Sequence, residues 1–91
     1  GARILMVHAS PWQPFDGYVT PQSRDFRRIA DLPYDYVILG HTHMAMVHEA
    51  GSVTVINPGS CAEPRDRDPR GSYAVLDLAQ RRVDIHRFSQ D

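Results

Sequence analysis

Apolar positions along the chain fall into two spacings, continuous runs and alternating ones. Residues 3–8 and 35–39 carry Ile4-Leu5-Met6-Val7 and Tyr36-Val37-Ile38-Leu39, short unbroken runs of the kind expected of strands buried on both faces. Between them, Ser10-Pro11, Gln13-Pro14 and Asp16-Gly17 mark residues 9–20 as an irregular loop. Pro21 then suits a first helical position, Phe26, Ile29 and Ala30 recur at helical spacing, and Pro33 is a stop, which predicts a helix over roughly 21–31. A helix between two apolar strands makes a β-α-β unit with parallel pairing. Farther on, residues 44–49 and 53–56 predict a hairpin around Ala50-Gly51-Ser52, and residues 72–78 and 82–88 another around Ala79-Gln80-Arg81. Glu63 to Arg70, charged and proline-containing, is expected to be a long surface loop. The fold class is α/β, a β-α-β unit followed by antiparallel strands, in one domain over residues 1–91.

Composition narrows the function. With 42% hydrophobic and 23% charged residues, the chain has the make-up of an ordinary globular domain. A net charge of -1 supplies no general footprint for nucleic acid or an anionic membrane, so function has to come from a local site. No apolar run approaches the ~20 residues of a membrane span, and the start of the sequence lacks the apolar core of a signal peptide, so a cytoplasmic location is the expectation. The single cysteine, Cys61, rules out an internal disulfide framework and is expected to be a small buried side chain.

The chemistry gathers at strand ends. His8 closes the first apolar run, Gly40-His41-Thr42-His43 closes the second, and Asn57-Pro58-Gly59-Ser60 follows the third. Ligands in open α/β sheets collect beyond the carboxyl ends of the strands, so His8, His41 and His43 are expected on one edge. Two imidazoles one residue apart can serve a single metal ion or two adjacent ones. Asn57 and Gly59 are expected to shape the turn beside the site, Asn57 through hydrogen bonds and Gly59 by allowing close backbone approach, with direct contact to phosphate the alternative. Trp12, Phe15 and Tyr18 are expected to pack their loop onto the body, a substrate-facing aromatic wall being the alternative. Arg24, Arg27 and Arg28 are read as a solvated face, Arg65 as an exposed loop side chain that could reach a phosphate, and His48 and His86 as structural or exposed. A structural zinc site is disfavoured because no cysteine pair completes a closed tetrahedral set.

The order of strand plus His8, then Gly40-His41-Thr42-His43, then Asn57-Pro58-Gly59-Ser60, with Arg65 after it and a hairpin opening at Ser72-Tyr73-Ala74-Val75, resembles the C-terminal half of calcineurin-like metallophosphoesterases. The small bacterial and archaeal phosphodiesterase branch is the most similar. The resemblance implies the C-terminal half of a four-layer αββα sandwich and a centre of two divalent transition-metal ions (Mn, Zn, Fe or Ni). His8 and His41 would bind one ion and His43 the other. Asn57, Gly59, Ser60 and Arg65 would shape the site or meet the phosphate-ester substrate. The family's earlier motifs, Asp-X-His, Gly-Asp and Gly-Asn-His-Asp/Glu, do not occur in the sequence. The expected partner is therefore an N-terminal half of the domain or a second copy of the chain, and the 91 residues alone are expected to bind one ion weakly and to hydrolyse little. A non-catalytic scaffold module, as in the metallophosphoesterase-like subunit of retromer, is the alternative function. One departure is Ala9, where the family usually has glycine; a positive φ there would cost about 1 kcal/mol.

Overall fold

In the computed structural model, which describes residues 1–61, 63, 65 and 70–89, the two apolar runs become neighbouring parallel strands. Strand β1 (Ile4–Met6) pairs with β2 (Tyr36–Ile38), Leu5 opposite Val37. Strands β3 (Ala45–Ala50) and β4 (Val53–Pro58) form the expected antiparallel hairpin, and β4 lies parallel to β2. The resulting sheet has the order β1-β2-β4-β3, while β5 (Gly71–Asp77) and β6 (Arg82–Phe88) pair antiparallel as a second, two-stranded sheet. The α/β architecture is thus the one expected, with each apolar run trimmed at its ends.

The helix is shorter than its spacing predicts. Helix α1 covers Arg24–Arg28 and tightens into a 3₁₀ turn over Ile29–Asp31. Residues 20–23 are instead closed as a turn, because the Ser23 hydroxyl donates to the Thr20 carbonyl at 2.8 Å while the Ser23 N–H reaches the same carbonyl at 3.0 Å. A serine side chain competing for local backbone groups holds off the helix until it has passed. Pro33 lies just beyond the 3₁₀ turn, as expected of a stop.

One face of the sheet is covered. Paired residues share a face, so Leu5, Val37 and Val55 form a row, and Phe26 and Ile29 close over Val37, Leu39, Met46, Val53 and Val55 to make the core. The opposite face carries the row Met6, Ile38, Ile56 and Val47. Its centre is shielded, Ile56 being 2% exposed, but its flanks are open, with Met6 70% and Val47 38% exposed. β1 is therefore not buried on both faces, contrary to the expectation, because it is an edge strand with cover on one side only. The thinnest dimension is 19 Å, room for about two layers at the ~10 Å layer spacing of packed sheets.

Around this frame three side-chain expectations change. Trp12 packs against the core and under the Arg28 guanidinium, 3.9 Å from its ring, but Phe15 projects into solvent and Tyr18 turns towards the strand ends. Of the three aromatics the tryptophan packs the loop onto the core, together with buried Val19, because the Ser10 hydroxyl, fully buried, accepts from the N–H groups of Trp12 and Gln13 and carries the chain outward beyond them. Cys61 is exposed rather than buried, since it stands beyond the end of β4 at Pro58, where the chain leaves the sheet; Asn57 and Pro58, expected in a turn, are the last residues of that strand. The Glu63 to Arg70 stretch lies for the most part outside the described residues. Arg24 and Arg27 are solvated as expected, and Arg28 adds an ion pair with Asp25 at 3.0 Å.

Candidate metal centre

Because β1, β2 and β4 are parallel, their carboxyl ends share an edge. His8 follows β1, Gly40 to His43 follow β2, and Asn57 to Ser60 end β4. The strands continue to bond past their ends: the Gly40 N–H donates to the His8 carbonyl at 2.7 Å. A β-carbon on Gly40 would stand 3.0 Å from that carbonyl, so glycine lets the two histidine-bearing segments close on each other.

That closure sets His8 Nε2 3.1 Å from His41 Nδ1. Two nitrogens bonding one ion at about 2.0–2.1 Å stand roughly 2.9 Å apart at a right angle and roughly 3.4 Å apart at the tetrahedral angle. The separation is that of a ring N–H···N hydrogen bond and also falls inside that interval, so the pair fits a single divalent ion once neither nitrogen carries the hydrogen. Tyr18, 57% exposed, lays its ring on His41 with centroids 4.4 Å apart.

His41 is held at a backbone cost that the sequence does not announce. Its φ is 72° and that of His43 is 60°. The Thr42 N–H donates to the Gly40 carbonyl at 2.9 Å, closing a γ-turn of the strained, positive-φ form around His41. Non-glycine residues in this region cost on the order of 1–3 kcal/mol and persist only where their surroundings enforce them. Asn57 is the enforcing residue. Only 1% exposed, it donates through Nδ2 to the Gly40 carbonyl (3.3 Å) and to Thr42 Oγ1 (3.0 Å), bracing both sides of His41, while its Oδ1 accepts from the Gly59 N–H at 3.0 Å. Gly59, at φ 80°, lies against Ser72; a β-carbon would collide with the Ser72 hydroxyl. The turn is thus tied to β5, whose Ser72 donates from its hydroxyl to the Pro58 carbonyl at 2.7 Å and from its N–H to the Ser60 carbonyl at 3.0 Å.

His43 is oriented by the segment after that turn. Its Nδ1 lies 2.8 Å from the Glu63 carbonyl oxygen. A carbonyl can only accept, so Nδ1 carries the hydrogen and the neutral ring keeps its lone pair on Nε2. Arg65, exposed as expected, donates its backbone N–H to the His43 carbonyl at 2.9 Å. Ala9 is buried and is not among the residues with positive φ, so the cost considered for it does not arise. His48 and His86 are exposed; His48 meets the edge of Phe26, and His86 stacks on Tyr73.

The structure therefore joins His8 to His41, places Asn57 and Gly59 behind them, and sets His43 among Glu63 and Arg65. Among the described residues no group of three or more histidine, cysteine or carboxylate side chains converges on one point. The positive φ values, the Asn57 brace and the Tyr18 contact escaped the sequence reading. Only the tolerance of histidine for the left-handed region could have hinted at the first.

Three parallel strands of a mixed sheet that bring histidine-bearing segments to one carboxyl edge define the class, an α/β protein whose candidate site lies beyond its strand ends. The particular family follows from comparison: the calcineurin-like phosphoesterase superfamily domain matches residues 1–81, and the chain belongs to that superfamily. Its members generally use divalent metal ions. The chain is 28% identical to an uncharacterised protein of Methanocaldococcus jannaschii, over its whole length and 43% of that relative. Its structure is similar to that of a metallophosphoesterase from Sphaerobacter thermophilus, at 26% identity and a TM-score of 0.77, over 98% of this chain and 46% of that one. An archaeal phosphodiesterase is similar at 25% identity and a TM-score of 0.66, over 96% of this chain and 46% of that one. The chain thus spans less than half the length of these relatives.

Proposed function

We propose that the chain contributes His8, His41 and His43 to the two-metal centre of a phosphoesterase that hydrolyses phosphodiester or phosphomonoester bonds. The observation carrying this reading is the 3.1 Å approach of His8 Nε2 to His41 Nδ1, at a spacing suited to one ion. His8 and His41 take one ion, and His43, with Nε2 free, takes the other. When bound, such ions supply Lewis acidity towards phosphoryl oxygens and a more acidic water. The chain's own part is orientation: Asn57 holds the His41 turn, Glu63 sets the His43 ring, and Arg65 and Ser60 line the approach of the substrate. The archaeal phosphodiesterase relative favours a diester over a monoester.

Neutral imidazoles do not offset the charge of two divalent ions, and the described residues add no carboxylate to them. The 91 residues are accordingly a partial domain, completed by an N-terminal half or by a second copy. The open flanks of the sheet, at Met6 and Val47, favour the same reading. They equally suit a non-catalytic scaffold role, in which that face holds a partner and the site is vestigial. No helix among the described residues is long and apolar enough to cross a membrane.

Calorimetric titration of the chain with Zn²⁺ and Mn²⁺, alongside a chromogenic phosphodiester assay, tests the proposal. One weak site that His8→Ala and His41→Ala each abolish, with negligible turnover, is the expected result. Binding unaltered by either substitution overturns the assignment, and rapid turnover by the verified 91-residue chain overturns the partial-domain reading.

A further inference from the structure

Two hydrogen bonds link Ser60 to the ring of His43, and a third ties Ser60 to strand β5. The Ser60 hydroxyl oxygen accepts from the Glu63 N–H at 2.8 Å, closing a three-residue step that brings the Glu63 carbonyl to face the histidine. That carbonyl accepts from His43 Nδ1 at 2.8 Å. At the other end, the Ser60 carbonyl accepts from Ser72 at 3.0 Å, which ties Ser60 to strand β5. The path therefore runs from a strand, through one hydroxyl, to the nitrogen that decides which tautomer His43 adopts. Arg65, donating to the His43 carbonyl at 2.9 Å, holds the same segment along the backbone of His43 but leaves the ring free to turn.

We propose that Ser60 is a positioning residue for His43: through Glu63 it holds the imidazole with its hydrogen on Nδ1, presenting the Nε2 lone pair outward to a cation. The use of that lone pair rests on the metal-centre reading; the relay itself does not. Without the hydroxyl, nothing else in the relay binds the Glu63 N–H, its carbonyl loses its fixed direction, and the ring is released to exchange tautomers. Partners that orient a ligating histidine in this way generally matter 10–100-fold in metal affinity.

The test uses long-range proton–nitrogen NMR of the histidine rings in the metal-free chain. In the unaltered chain His43 is expected in the Nδ1–H form; an Nε2–H signal there overturns the proposal without any variant. Ser60→Ala is expected to move His43 towards mixed tautomers while His48 and His86 stay unchanged, and Ser60→Thr, which keeps the hydroxyl, is expected to retain the original signal. A His43 signal unmoved by Ser60→Ala, or a shift shared by every histidine, overturns it as well. If the tautomer shifts as expected but the unaltered chain takes no Zn²⁺, the relay stands and the metal-centre reading fails.

Discussion

Asn57 does the work of several residues at the strand ends. Its two amide hydrogens and one carbonyl satisfy groups on both sides of the strained His41 turn and at the start of the Gly59 turn. Removing it leaves buried partners unpaired and cuts the restraint on a positive φ, two costs that fall on the same loop. Asn57→Ala is expected to destabilise the fold by about 2–3 kcal/mol, measured by urea denaturation. It should also disperse the paired ring signals of His8 and His41. A destabilisation within experimental scatter would show that the His41 turn holds without its brace. Gly59 is expected to tolerate no side chain, since Gly59→Ala would add both left-handed strain and a collision with Ser72.

At the level of elements, equal apolarity conceals unequal cover. Ile29 is wholly buried in the 3₁₀ turn over the sheet, whereas Met6, equally apolar in sequence, stands in edge strand β1 with its side chain largely in solvent. Ile29→Ala is expected to cost about 2–5 kcal/mol, the range for a large side chain deleted from a packed core. Met6→Ala is expected to cost no more than about 0.5 kcal/mol in the dissociated chain. Parallel denaturation curves at low protein concentration measure the contrast. The β5–β6 hairpin belongs to the same scale: two strands alone are marginal, and this pair is anchored to the main sheet through the bonds of Ser72 to Pro58 and Ser60.

For the whole molecule the open sheet face governs behaviour. Met6, Ile38, Ile56 and Val47 form a row whose two flanks are exposed, so apolar area is available to a covering layer. The chain alone is expected to self-associate at micromolar concentration, and Met6→Lys with Val47→Lys to return it to a monomer, as read by sedimentation velocity. A cooperatively unfolding monomer in the unaltered chain would show that the face needs no cover. If an N-terminal half is the natural complement, its addition should replace self-association by a one-to-one complex and raise metal stoichiometry to two per complex.

Much of this was legible in the residue order, because local patterns report local physics. The apolar runs located β1, β2 and both hairpins, and a helix between two strands implied their parallel pairing; that pairing in turn put His8 and His41 on one edge. The order of His8, Gly40 to His43 and Asn57 to Ser60 also carried the family. What the order could not contain was anything set by contacts between distant segments. The exposure of Met6 depended on β1 being an edge strand, while the late start of the helix came from a local competition, Ser23 turning back to Thr20. The left-handed backbone of His41 and His43, the Asn57 brace 15 residues from Thr42, and the Glu63 carbonyl that assigns the His43 tautomer 20 residues away exist only once the chain is folded. Sequence determined which side chains reach the edge; the tertiary structure alone decided how their nitrogens face, because ring orientation is set by hydrogen bonds from segments that meet only in the folded chain.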